Sequence, residues 1–237
     1  KEASVESRPL GSTGLTVSAI GFGCGAIGGL MTKGDPAAQR RAVARAIEAG
    51  FRYFDTAPSY GDGRSEENLG RVLEELRAGV VVGTKLRVEM PDVADTRNVV
   101  RRSVEASLRR LRRERVHLVQ LHNRIGGQDG LPVDAVLGPV VDAMRAVRDA
   151  GLAEHVGITA LGDTADVLRV IDAGIFETAQ VYFNALNPSA GWARRADAHD
   201  QDFQGVIDRA TGRGMGVINI RPLAAGAVTA RGERHPN

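Results

Sequence analysis

Gly50-Phe51-Arg52-Tyr53-Phe54-Asp55-Thr56-Ala57-Pro58-Ser59-Tyr60-Gly61 reads as a short apolar strand that ends on a carboxylate and opens into a turn carrying a tyrosine. Further along, Val80-Val81-Val82-Gly83-Thr84-Lys85 ends on a lysine, and Val116-His117-Leu118-Val119-Gln120-Leu121-His122-Asn123 ends on a histidine followed by an amide. Three successive apolar runs, the first aromatic and the other two rich in valine, therefore each terminate on reactive side chains. Outward from this stretch the same alternation continues. Strands are expected at residues 17–23, 51–55, 80–85, 116–122, 155–159, 178–183 and 216–220. Helical periodicity fills 36–49, 65–76, 96–112, 133–149, 163–173 and 202–211 between them. Gly50, Gly151, Gly174 and Gly212 follow helix ends, where a left-handed residue is favoured.

Strand-helix alternation of this kind means parallel strands buried on both faces. A (β/α)8 TIM barrel is expected, as a single domain over residues 1–237. Seven strands are legible, and the sequence stops where an eighth strand and helix would begin, so the eighth β/α unit is expected to be absent from it. The tail 231–237 reads as loop. The alternative is an open dinucleotide-binding sheet, because Gly23-Cys24-Gly25-Ala26-Ile27-Gly28 matches G-x-G-x-x-G after the first strand. In that fold the helix opens at the glycines and meets the pyrophosphate. Here residues 29–36 delay the helix, and Asp55 falls too late for the fingerprint's acidic residue. The glycines are read instead as a flexible loop at a ligand mouth.

Composition narrows the classes further. The net charge is +2, and there is one cysteine, Cys24, hence no internal disulfide framework and no cysteine cluster for a metal. A reducing cytoplasm fits that usage. There is no signal-peptide core and no apolar run long enough to span a membrane. The cluster Arg109-Arg110-Leu111-Arg112-Arg113 has no interleaved aromatics, so it reads as a solvated helix end rather than a nucleic-acid patch. Three of the 31 basic residues are lysines, Lys1, Lys33 and Lys85, and the abundance of arginine, alanine and glycine resembles the coding bias of a GC-rich bacterial genome.

Strand C-termini of a parallel barrel open onto one face, so Asp55, Tyr60, Lys85 and His122 are expected to converge there. Taken singly, each has an ordinary explanation: a turn aspartate, a loop tyrosine, a strand-end lysine, a core histidine. Together they suit hydride chemistry at a carbonyl. Reduction leaves an alkoxide that needs a proton donor, here Tyr60. An adjacent ammonium favours the phenolate and helps the same tyrosine act as base in the reverse direction. Lys85 is a compact point charge suited to that task. Asp55 keeps the lysine charged and oriented, and His122 donates a hydrogen bond to the substrate oxygen. A metal is not needed. A barrel lyase using Lys85 as a Schiff-base nucleophile is the competing chemistry.

These residues resemble the aldo-keto reductase superfamily, from Arg8-Pro9-Leu10-Gly11 to Pro222-Leu223-Ala224-Ala225-Gly226. Gly50 to Ala57 with Tyr60-Gly61 and Ser65-Glu66 is the most specific element, and Gly83-Thr84-Lys85 and Gln120-Leu121-His122-Asn123 match too. The segments 21–30 and Asn187-Pro188-Ser189-Ala190-Gly191 look closest to a bacterial branch related to sugar (aldose or galactose) dehydrogenases. The resemblance implies NADP(H), with NAD(H) as the less frequent choice, a small carbonyl or alcohol substrate, and the catalytic roles reasoned above. It also implies cofactor contacts from Gly23, Asp55, Thr159, Gln180 and Arg221, with Gln180 matching the glutamine that binds the nicotinamide carboxamide. Thr159-Ala160 stands where the family often has Ser-Asn, and Ile220-Arg221 where it often has a stacking aromatic. The family's phosphate and adenosine segment lies beyond Asn237, so poor cofactor retention is expected if the molecule ends there. Trp192 and Asn123 are expected substrate contacts, Trp192 as a lid wall or else a surface anchor. A nicotinamide-binding regulatory or partner subunit of little turnover is the alternative function.

Overall fold

In the computed structural model, residues 4–89, 95–194 and 197–228 are described. The tail expected to be loop lies outside them. Seven parallel strands form one sheet in strictly sequential order. They are β3 (Phe22–Gly23), β4 (Tyr53–Asp55), β5 (Val81–Leu86), β6 (Val116–Leu121), β7 (Ala153–Thr159), β8 (Thr178–Tyr182) and β9 (Gly216–Ile220). The intervening helices are α1 (Leu30–Lys33), α2 (Pro36–Glu48), α3 (Arg64–Glu75), α4 (Thr96–Leu111), α5 (Val133–Ala135), α6 (Val141–Asp149), α7 (Thr164–Asp172) and α8 (Val206–Gly212). Sequential order with a helix after nearly every strand is the barrel arrangement expected, not the switched order of an open dinucleotide sheet.

The expected first strand is corrected. Residues 17–23 divide between two sheets because Gly21 interrupts the run, where a side chain would strike Tyr53 Cδ1 at 2.7 Å. Its first half joins an antiparallel hairpin, β1 (Ser7–Pro9) with β2 (Thr16–Ser18), and only Phe22–Gly23 enters the main sheet. The hairpin lies across the strands' N-terminal ends: Arg52 N donates to Ser18 Oγ at 2.8 Å, and Ser12 N to Gly214 O at 2.8 Å. Two helices also differ from expectation. Residues 133–149 are broken by a widened turn at Val136–Val140, because Pro139 has no N–H to give and Gly138 leaves helical geometry (φ −109°, ψ −107°). Helix α8 starts at Val206, since Gly205 at its N-cap takes a left-handed φ of 68° that a continuing helix cannot hold.

Strand residues alternate between two environments, as a period of two requires. One face carries Phe54, Val82, Leu86, Val119, Leu121, Val156, Ile158, Ala179 and Val181, all buried in the main apolar cluster. The other carries Tyr53 and Asp55, Gly83 and Lys85, Leu118 and Gln120, Gly157 and Thr159, then Thr178 and Gln180. Registers Asp55↔Gly83, Lys85↔Gln120, Gln120↔Gly157 and Thr159↔Gln180 bring these into neighbouring rows. This second face is apolar near the hairpin, where Leu10, Val17, Tyr53 and Leu118 cluster, and polar toward the strand C-termini. Space on it is tight. A side chain on Gly157 would strike Thr178 Oγ1 and lie 2.6 Å from Thr178 O. Gly157→Ala is expected to cost about 1–3 kcal/mol by overpacking, read as a lowered urea midpoint with unchanged slope.

Candidate active site

Lys85 is the pivot of the polar face. Its side chain is 1% exposed, and its ammonium has three acceptors for three protons: Asp55 Oδ2 at 2.6 Å, Thr56 O at 2.8 Å and Tyr60 Oη at 3.1 Å. The nitrogen also stands 4.7 Å from the Tyr60 ring centroid. Burial pulls the Lys85 pKa down, but the charges of Asp55 and Tyr60 and their hydrogen bonds outweigh it, and the net direction is up. The ammonium is therefore fixed as a cation.

Tyr60 reaches Lys85 because its loop is tied at both ends. Tyr60 N donates to Ala57 O at 3.1 Å, Gly63 N to Pro58 O at 2.8 Å and Ser65 N to Tyr60 O at 3.2 Å. Ser65 Oγ meets Thr56 Oγ1 at 2.8 Å and donates to Cys24 O at 2.9 Å, fastening the start of α3 to the exits of β3 and β4. Beside it Glu66, with no exposed side-chain surface, accepts from Arg110 Nε at 2.6 Å and from Thr84 Oγ1. This corrects the reading of the arginine cluster as merely solvated, since a buried carboxylate recruits Arg110 across to α3. Cys24 is unpaired, 1% exposed, and held as a neutral thiol by burial and then by the Asp55 charge.

His122 continues the β6 line, with its N–H on Leu86 O at 2.8 Å. Its ring lies edge-on to Tyr60, centroids 6.1 Å apart at 89°. Burial and then the charges of Lys85, Arg87 and Arg221 push its pKa down to about 3. The imidazole is neutral at ordinary pH and offers one N–H. The four residues named from sequence thus meet at one end of the sheet.

The remaining expected contacts fall into two groups. Gln180 is buried beside Asp55 and donates from Nε2 to Asp55 Oδ1 at 2.6 Å, while Thr159 Oγ1 sits 3.5 Å from Gln180 Oε1. Gly23 pairs with Asp55 across β3 and β4, with open space where a side chain would be. Arg221 is exposed, takes a positive φ of 56° and lies over the Tyr182 ring at 4.6 Å. The other two engage elsewhere. Asn123 spends both ends of its amide on Val88, Oδ1 accepting from N at 3.0 Å and Nδ2 donating to O at 2.8 Å. Trp192 is 70% exposed, packs edge-on against Phe183 at 5.4 Å, and lines a cleft of about 310 Å³ to which none of the four mouth residues contributes. Among the described residues there is no His, Cys, Asp and Glu group able to hold a metal ion. No described helix is long and apolar enough to cross a membrane.

Residues 19–237 match the model of the aldo/keto reductase family. The chain belongs to this family. It is accordingly an oxidoreductase by class. The chain is 31% identical to L-galactose dehydrogenase of Arabidopsis thaliana, over 98% of its own length and 70% of that enzyme's. Among solved structures it is similar to an aldo-keto reductase from Pseudomonas aeruginosa, with 30% identity and TM-score 0.69 over 90% of this chain and 77% of that one. It is also similar to an aldo-keto reductase from Klebsiella pneumoniae solved with NADPH, with 25% identity and TM-score 0.71 over 96% and 72% of the two chains.

Tyr53 was missed in reading the sequence for function. Its hydroxyl donates to Asp55 Oδ1 at 3.0 Å from within the sheet. The signal was available, because a residue two before Asp55 on a strand shares its face.

The depressed His122 pKa has a stability consequence. The unfolded imidazole protonates near ~6.5 and the folded one near 3, so the unfolded chain binds the extra proton between those values. Stability from neutral His122 is complete above ~6.5 and is lost as pH falls toward 3. The urea midpoint of the wild type is expected to fall more steeply across that window than that of His122→Asn; parallel curves would contradict the assignment.

Proposed function

We propose that this chain is an NADP(H)-dependent oxidoreductase that moves hydride between nicotinamide and the carbon of a small carbonyl or alcohol, with Tyr60 as general acid and base. The observation that carries this reading is the hydrogen bond from the buried, three-fold-anchored Lys85 ammonium to the Tyr60 hydroxyl. In reduction Tyr60 gives its proton to the developing alkoxide, and the resulting phenolate faces a cation already in place. In oxidation the same phenolate accepts the alcohol proton. His122, neutral and edge-on to Tyr60, directs its N–H at the substrate oxygen and holds the carbonyl for attack. Asp55 keeps Lys85 charged and aimed. A Schiff-base reading fares worse, since it needs a neutral amine and Lys85 is held as an ion-paired ammonium.

The donor set at the strand ends suits a nicotinamide dinucleotide. Gln180 has its Nε2 engaged by Asp55 but its Oε1 in only one long contact, leaving an acceptor for a carboxamide N–H. Thr159 and Gly23 flank it, and exposed Arg221 supplies a cation for phosphate. The cofactor, when bound, supplies or receives the hydride. The closed eight-unit barrel belongs to the same reading, its eighth unit not being among the described residues. The likeness to L-galactose dehydrogenase supports sugar lactols or aldoses as the substrate class, with Asn123 shaping the mouth through its grip on Val88 and Trp192 serving as an outer wall. The buried, unpaired Cys24 suits a reducing cytoplasm.

The test is absorbance at 340 nm with NADPH or NADH and a panel of aldehydes, ketones and sugars. Tyr60→Phe is expected to reduce turnover at least ~10²-fold with cofactor affinity little changed, the scale of lost general acid catalysis. Near-normal turnover in that variant would remove Tyr60 from the mechanism. Cofactor binding without turnover in the wild type would favour a regulatory subunit.

A further inference from the structure

We propose that Tyr53 is a positioning residue of this site: by donating a hydrogen bond to Asp55, it governs how much of the Lys85 charge is left to act on Tyr60. The proposal rests on the reading of Tyr60 as acid and base. The Asp55 carboxylate accepts from three side chains. Lys85 donates to Oδ2 at 2.6 Å, while Gln180 Nε2 at 2.6 Å and the Tyr53 hydroxyl at 3.0 Å share Oδ1. Two of these donors are neutral, and each draws negative charge away from the oxygen pair that opposes the ammonium. In a buried site such polarisation is transmitted with little screening. The chain runs Tyr53, Asp55, Lys85, Tyr60, across β4, β5 and the loop beyond β4.

A packing role alone would account for less. Tyr53 is 4% exposed and belongs to the apolar cluster of Leu10, Val17 and Leu118, so a phenylalanine would bury as well. The hydroxyl is accommodated by a specific absence: a side chain on Gly83 would lie 2.9 Å from that oxygen. The strand position next to Asp55 is thus kept bare where the tyrosine oxygen passes.

The surroundings leave Tyr53 a permanent donor. Burial, then the Asp55 charge, push its own pKa well above 10. On its own strand the charged neighbour is Asp55. From β5 comes Lys85, from the loop after β4 Tyr60, and from beyond β3 Cys24, whose thiol burial keeps neutral. From β6 come Leu118, the uncharged Gln120 and, further along, neutral His122; from β8 comes uncharged Gln180. The hairpin contributes Leu10 and Val17.

The sign follows. Without the Tyr53 hydroxyl, Asp55 keeps more charge, neutralises Lys85 more fully and leaves the Tyr60 phenolate less stabilised. Tyr60 then ionises at higher pH. The chain has three tyrosines, Tyr53, Tyr60 and Tyr182, so phenolate absorbance at 295 nm can be assigned by difference against Tyr60→Phe. In Tyr53→Phe the Tyr60 step is expected about one pH unit above its wild-type position, and kcat for NADP+-dependent oxidation of L-galactose about 10-fold lower on the acid side with KM unchanged. A Tyr60 step at its wild-type pH in a folded Tyr53→Phe protein would overturn the proposal and leave Tyr53 a packing residue. If Tyr53→Phe does not fold, Gln180→Leu, which strips the other Oδ1 donor, must move the same step upward, and no movement overturns the proposal equally. Should the wild type turn over none of the aldehydes, ketones and sugars, the reading of function falls, while the optical titration still judges Tyr53.

Discussion

A charged amine buried to 1% exposure inside a protein is costly, and the site exists because Lys85 is compensated at all three of its protons. That requirement reaches far into the chain. Asp55 must end the neighbouring strand, the backbone of Thr56 must turn its carbonyl inward, and Tyr60 must come back over the strand end. The register that pairs Asp55 with Gly83 puts the carboxylate one pleat from Lys85, close enough for a 2.6 Å contact. Removing any one partner would strand charge or polarity where water cannot replace it. The mouth is therefore preorganised, which is what electrostatic stabilisation of a transient phenolate requires.

A second buried charge does mechanical work for the first. Glu66 sits in the first turn of α3, directly after the loop that carries Tyr60, and is held by Arg110 of α4 and Thr84 of β5. Thr84 immediately precedes Lys85 and points to the opposite face of the same strand. The loop and the lysine are thus referenced to one another from behind as well as through their own contact. Ser65, by bridging Thr56 and Cys24, adds a third tie to the neighbouring strand.

Much of this arrangement was legible in the sequence, and the exceptions have physical causes. Six of the seven parallel strands announce themselves as short apolar runs, five of them rich in β-branched residues, and three mouth residues fall at strand ends, with Tyr60 in the loop after one, where topology forces convergence. The first strand did not, because Gly21 divides an apparently continuous run for the sake of the Tyr53 ring, a contact between residues far apart in sequence. The break at Gly138-Pro139 was locally visible, but an unbroken helical period on either side masked it. Arg110 looked solvated because its partner Glu66 is 44 residues away. Gln180 was placed by resemblance at the nicotinamide, and its bond to Asp55, across 125 residues, has no local signature.

Toward the C-termini of β4 to β8 the two faces divide the labour: most residues facing the helices fill volume, while Asp55, Lys85, Gln120, Thr159 and Gln180 turn polar groups inward. The division has a consequence for how such a chain can change. A substitution on the helix side can be absorbed by repacking, and one on the inner side can alter chemistry without touching the outer core. The two histories can diverge independently within a single strand. An insertion of one residue has no such freedom, because it would exchange the two sets at once, presenting valines to the substrate and lysine to the helices.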